Sequence, residues 1–132
     1  MTPAPMIISP QDVEAPGAEV RGSTLVIQDW SATGVAQEVA PLHVHHVDDE
    51  AWHVISGAVR FRTGSDEFVA SAGSTVLVPA GVPHTFGNAG PEPSRYIIIL
   101  PARLHELIRQ LHQASPAEYP AIYRRYESEL LE

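Results

Sequence analysis

The chain has 132 residues, a formal charge of −8, eight basic residues that are all arginine, and no cysteine. That length suits one domain closing a single core without disulfides, and the missing residue types exclude a thiolate nucleophile, a sulfur-ligated metal and Schiff-base chemistry through lysine. The negative charge argues against nucleic acid as the partner, because binding phosphate needs clustered positive charge.

The N-terminal MTPAPMIISP has neither the basic n-region nor the long apolar core of a secretory signal. No apolar run approaches the roughly 20 residues of a membrane span, so a soluble cytoplasmic protein is the expectation. Residues 1–22 are rich in Pro, Ala and acids. Within them only Met6-Ile7-Ile8 has the make-up to pair, and the stretch reads as an N-terminal extension or edge strand.

Residues 23–100 are a succession of short β-type runs: TLVIQDW (24–30), EVAPLHVHH (38–46), EAWHVISG (50–57), AVRFRTG (58–64), DEFVASAG (66–73), STVLVPAG (74–81), PHTFGN (83–88) and RYIIIL (95–100). Glycine and proline punctuate them, and many short strands at near-regular spacing predict an antiparallel sandwich or barrel. Over 101–132 the period changes. In PARLHELIRQLHQ, Leu104, Leu107, Ile108 and Leu111 fall on one face of a helix. Ser115-Pro116-Ala117-Glu118 then has the form of a capping box with proline at the first helical position. Because Pro120 would remove a backbone hydrogen bond inside that helix, the expectation is a short 3₁₀ turn, with regular helix from about residue 120 carrying Tyr119, Ile122, Tyr123, Tyr126 and Leu130 on its apolar stripe.

Four of the seven histidines, His43, His45, His46 and His53, crowd into PLHVHHVDDEAWHVISG (41–57) beside Asp48, Asp49 and Glu50. Side chains two apart on a strand share a face. His43 and His45 therefore project together, and beyond a short bend Glu50, Trp52 and Val54 share a face on the next strand. Such a hairpin can bring two imidazoles and a carboxylate to one point. A further ligand must come from elsewhere, and His84, placed after the stiff turn Pro79, Gly81, Pro83, is on hand to supply it.

Two gapped patterns contain these residues. The first is His43-x-His45, four residues, Glu50, six residues, Gly57; the second is Gly73, five residues, Pro79-x-Gly81, two residues, His84, three residues, Asn88. In both the chain resembles the cupins, small β-barrels of the double-stranded β-helix (jelly-roll) type, over roughly residues 23–100. One departure lies upstream, where Gln37 stands at a position the family often fills with glycine; it concerns a turn and not the ligands. The resemblance implies an all-β cupin barrel, which the two short C-terminal helices read from periodicity would follow, with His43, His45, Glu50 and His84 as ligands of one divalent transition metal ion. Such a donor set suits Fe, Mn, Ni, Co, Cu or Zn better than Ca or Mg. Asp49 is the rival to Glu50, since a shorter variant of the spacing would select it.

The other polar residues of the region read as structural. His46 should face away from His45, His53 away from Glu50, Asp48 should keep the bend solvated, and His105 and His112 should lie on the polar side of a helix. Asn88 and the motif glycines serve turns. Parity nominates a lining for the metal site: Trp52 and Val54 beside Glu50, Phe86 beside His84, Val59 and Phe61 from the next strand, and either Tyr96 or Arg95. That lining is apolar and aromatic, which suits a flat or hydrophobic substrate better than a phosphorylated sugar. Resemblance to the smallest quercetinase-like cupins makes O₂-dependent oxidation of a small organic molecule the leading expectation, with Glu50 also able to accept a substrate proton. A metal-assisted isomerase or lyase, and a non-catalytic binding module, are the alternatives. The C-terminal helices could pack outside the barrel, cover its mouth or form a contact in a homodimer.

Overall fold

The computed structural model describes residues 4–9, 17–32 and 38–132. The alternation of the sequence becomes two rows of side chains on each strand. Along β4 (Glu50–Ser56) the inward row is Glu50, Trp52 and Val54; along β9 (Ser94–Pro101) it is Ser94, Tyr96, Ile98 and Leu100, and along β5 (Ala58–Thr63) it is Val59 and Phe61. Strands β1 (Glu19–Arg21), β2 (Leu25–Ala32), β9, β4 and β7 (Thr75–Val78) form one sheet in the order β1-β2-β9-β4-β7. A second sheet runs β6-β5-β8, with β6 at Asp66–Ser71 and β8 at Thr85–Asn88. The short β3 (His43–His45) pairs with β10 (Ser128–Leu130), and every pairing is antiparallel.

Inward rows from the two larger sheets meet in one core. Trp52 packs edge-on against Phe61 and Phe86, with ring centroids 5.1 and 5.2 Å apart, in the geometry aromatic quadrupoles favour. Phe61 and Val54 are completely buried, and each such side chain contributes about 1.5–3 kcal/mol relative to exposure. The architecture is a double-stranded β-helix. Gly57 turns β4 into β5 at φ 71°, and a Cβ there would sit 2.4 Å from the Pro93 carbonyl oxygen, so only glycine fits.

Helix α1 (Ala102–His112) buries Leu104 and Leu107, as the periodicity requires. The 3₁₀ turn expected from Pro116 and Pro120 occupies Pro116–Glu118, and α2 follows at Tyr119–Arg125. No helix among the described residues is long and apolar enough to cross a membrane.

Three expectations are corrected. Met6-Ile7-Ile8 forms no strand; the edge strand is Glu19–Arg21, which answers β2 with backbone pairing and an alternation too short to stand out in sequence. The run 38–46 is not one strand, because Pro41 lacks an N–H and only His43–His45 continues the ladder. Leu130 is not on the second helix. That helix ends at Arg125, the chain reverses through Glu127 at φ 47°, and Ser128–Leu130 runs back as a strand against His43–His45. Gln37 lies outside the described residues.

Candidate metal centre and cavity

His43 and His84 come together because their backbones do. The His43 N–H donates to the His84 carbonyl (3.1 Å) and the His84 N–H to the His43 carbonyl (2.8 Å), which fastens the segment entering β8 alongside β3. The turn between β7 and β8 is held to the same strand, because Gly81, at φ 89°, donates its N–H to the His45 carbonyl at 2.8 Å. Glu50 enters from β4, opposite Val78. One ring nitrogen from each of His43, His45 and His84 lies within 4.8 Å of the others, and all three side chains are buried. Glu50 Oε1 is 3.3 Å from His45 Nε2 and 3.4 Å from His84 Nε2. The rival acid is elsewhere: Asp49 accepts a hydrogen bond from the Ala80 N–H at 2.8 Å.

The outer nitrogens of the three rings determine what the inner ones present. His43 Nδ1 lies 2.8 Å from the Pro41 carbonyl and His84 Nδ1 3.0 Å from the Val82 carbonyl. A carbonyl only accepts, so each Nδ1 carries the hydrogen. His45 Nδ1 lies 2.7 Å from Ser128 Oγ, whose own hydrogen goes to the Tyr126 carbonyl at 3.1 Å, so here too the ring donates. In the neutral form each Nε2 then faces inward as a bare lone pair. His43 is kept neutral by burial first, and by the neighbouring His84 and His45 second, which together lower its pKa to about 4. For Glu50, burial pushes the pKa up, but the His45 and His84 rings outweigh burial and hold it at about 2, so it is a carboxylate.

Where the rings are neutral, electron pairs meet here, and a cation between them, a proton or a metal ion, relieves the contact. His84 Nε2 is fully buried and makes no hydrogen bond, although the carboxylate stands nearby without the alignment of one. Lone pairs facing a carboxylate repel unless a cation lies among them. The three histidines are arranged so that they could hold a metal ion, and the donor set fits a divalent first-row metal.

Beside this cluster opens a cavity of about 420 Å³. His43, His45, Glu50, Phe86 and Tyr96 face it from the barrel, Trp30 from β2, and Leu104, Leu107, Ile108 and Leu111 of α1 with Tyr119 and Tyr123 close it from the other side. The helices thus cover the mouth of the barrel. Among the described residues, no arginine lines the cavity. Tyr123 reaches the histidine cluster itself, its ring centroid 5.4 Å from that of His43. Burial, and secondarily the Glu50 charge, raises the Tyr96 and Tyr123 hydroxyl pKa values, so both stay protonated donors.

Of the residues expected to line the site, Phe86 and Tyr96 do so, whereas Trp52, Val54 and Phe61 do not reach the wall. They share the inward face, as parity requires, but lie in the core beneath the cavity. Between Tyr96 and Arg95, Tyr96 faces in; Arg95 pairs outside with Asp29, its Nε 3.0 Å from Oδ1. Two surface readings are corrected. Asp48 is not a solvated bend acid but an ion-pair partner of Arg103 on α1, which also grips Glu127. His105 is mostly covered and sits 3.0 Å from Gln28 Oε1, and burial lowers its pKa. His46 is exposed, and His53 is held by Thr75 at 2.8 Å. Ser128 and Trp30 carry no signal of a site role in the sequence, and Tyr123 carries one only as part of an apolar helical stripe.

Comparisons with known proteins agree with the fold. The cupin domain family matches residues 34–100. A search of the curated proteins finds no match. Among solved structures, the chain is similar to a conserved protein with a double-stranded β-helix domain from Klebsiella pneumoniae (24% identity, TM-score 0.59, covering 74% of this chain and 90% of that one). It is also similar to a cupin-2 domain protein from Shewanella frigidimarina (20% identity, TM-score 0.59, covering 72% and 94%). A third is a putative sugar phosphate isomerase from Acidithiobacillus ferrooxidans (18% identity, TM-score 0.60, covering 72% and 74%). At these identities the likeness shows the fold alone.

Proposed function

The chain belongs to the cupin domain family, and from that premise we propose that it is a metal-dependent enzyme carrying out O₂-dependent oxidation of an apolar, ring-bearing small molecule. The observation that carries the reading is the convergence of three imidazole nitrogens and the Glu50 carboxylate beside a cavity walled largely by aromatic and aliphatic side chains. A divalent transition ion held by His43, His45, His84 and Glu50 would supply Lewis acidity and the electron-transfer steps that O₂ chemistry requires.

The chain's own residues do the rest. Glu50, buried beside the cavity, would leave the ion to accept the proton of a substrate hydroxyl as that oxygen becomes anionic. Phe86 and Tyr96 present ring surfaces against which a flat substrate is oriented, and the Tyr96 and Tyr123 hydroxyls are donors for its polar atoms. The two C-terminal helices exclude water from a reactive intermediate.

The neighbour described as a putative sugar phosphate isomerase suggests a different substrate, but recognising a phosphate calls for inward arginines, and those are missing among the described residues lining this cavity. Oxygen uptake by metal-loaded protein, measured against a panel of flavonols, diketones and catechols, tests the proposal. Turnover of at least one class, abolished by chelator, supports it. Saturable binding of all classes without oxygen consumption would turn the reading into that of a binding protein.

A further inference from the structure

We infer that Ser128 is a positioning residue of the metal centre: from the C-terminal strand its hydroxyl fixes which nitrogen of His45 faces the ion. This rests on the reading of His43, His45 and His84 as metal ligands.

The three rings are oriented by two different devices. His43 and His84 each turn Nδ1 back to the carbonyl two residues before them, Pro41 and Val82, a contact that extended backbone makes by itself. The equivalent carbonyl for His45 is that of His43, and it is already taken by the His84 N–H at 2.8 Å. The His45 ring does not turn back to that carbonyl; its Nδ1 meets Ser128 Oγ instead. Ser128 takes that place. It stands opposite His45 in the β3–β10 ladder, is 3% exposed, and puts Oγ 2.7 Å from His45 Nδ1. Because the hydroxyl donates to the Tyr126 carbonyl at 3.1 Å, it meets the ring as an acceptor, which commits His45 to the Nδ1–H form.

The position of Ser128 is itself set by the C-terminal helices. The Glu127 carbonyl accepts the His46 N–H at 2.9 Å, the Leu131 N–H donates to the Leu42 carbonyl at 2.9 Å, and Arg103 of α1 joins Asp48 to Glu127 across the same turn. The segment that covers the cavity and the segment that orients a ligand are thus one continuous piece of chain. Residues beyond the matched domain complete its centre.

Cobalt(II), added to metal-free protein and measured by competition with a chromophoric chelator, reads the effect. Ser128→Ala should weaken cobalt binding about 10–100-fold, as losing an outer-shell partner does, and should alter the visible cobalt spectrum. Ser128→Thr, which keeps the acceptor, should restore affinity to within a few-fold, and the melting temperatures of the two metal-free variants should lie close together. Cobalt affinity and spectrum unchanged in Ser128→Ala would overturn the inference while leaving the metal site standing; wild-type protein that binds no cobalt would remove both. Two-bond nitrogen–proton NMR on metal-free wild-type protein needs no variant. His45 should show a protonated Nδ1 and a bare Nε2, and the opposite pattern overturns the inference.

Discussion

Glu50 and His84 face each other across 3.4 Å, a carboxylate oxygen against an imidazole nitrogen that has no hydrogen-bond partner. Both side chains are buried, one at the start of β4 and the other just before β8. In a protein interior two such acceptors are tolerated only where something positive completes them. The contact therefore marks a place where a cation would be stabilised.

Removing His84 tests that statement most directly. His84→Ala should lower metal affinity by more than the roughly 10–100-fold that loss of an outer partner costs, so that protein purified without added metal shows stoichiometry far below one per chain in elemental analysis. His46→Ala is the matched control: the ring is exposed and follows a ligand in sequence, and metal content should not change. Equal occupancy in the two variants would dismantle the ligand set.

Glu50→Gln should weaken both stability and metal binding. The amide keeps the size of the carboxylate but carries no charge, so the stabilisation that the His45 and His84 rings give the ionised group is lost. At pH 7 the metal-free variant should be less stable than metal-free wild type by on the order of 1–3 kcal/mol. Its metal affinity should fall, because a charged ligand has been replaced by a neutral one. Thermal melts with and without added metal measure both, and a metal-free variant more stable than wild type would mean that the rings do not stabilise the carboxylate.

The convergence of His43, His45, Glu50 and His84 was legible in the sequence and the contact of Ser128 with His45 was not, for a physical reason. His43, His45 and Glu50 are placed by strand alternation and one short bend, and His84 by a turn whose prolines and Gly81 fix its course. Such geometry is local and repeats wherever the spacing repeats. The partnership of Ser128 with His45 depends on a helix that stops at Arg125 and a chain that reverses at Glu127. The apolar positions Tyr119, Ile122, Tyr123 and Tyr126 would let a helix run on to Leu130, and nothing in SEL announces a strand. Parity likewise named the inward row Glu50, Trp52, Val54, but only Glu50 meets the cavity. Parity fixes the face of a side chain and leaves its depth to the packing above it.

Metal-free protein should lose stability as pH falls from about 6.5 towards 4. Burial, with His84 and His45, lowers the His43 pKa to about 4 from 6.5, so between those values the unfolded chain binds a proton that the folded one refuses. Stability therefore rises with pH across that window, by on the order of 3 kcal/mol in total. Glu50 acts in a lower window: its folded pKa of about 2 lies below the ordinary 4.5, and its contribution persists above 4.5 and disappears as pH falls through 2. Urea denaturation of the metal-free protein at pH 7.0, 5.5 and 4.5 stays above the Glu50 window and reads the His43 contribution alone, and a flat profile over that range would mean that His43 is not held neutral by its surroundings.

Ligand affinity should be nearly indifferent to ionic strength. The cavity wall is aromatic and aliphatic, with the Leu104, Leu107, Ile108 and Leu111 side chains of α1 opposite Phe86 and Tyr96, so the binding free energy comes from apolar burial. Raising salt from 0.1 to 1 M shortens the screening length from about 10 to 3 Å, yet the dissociation constant of a bound flavonol should change by less than about twofold. Leu111→Arg places a cation on the wall and should weaken the same ligand about tenfold while leaving the ligand set intact. The variant should also gain a salt-dependent affinity for phosphate esters that the wild type lacks. A wild-type protein whose ligand affinity collapses in salt would instead have charge as its recognition element, and the apolar assignment of its substrate would fall.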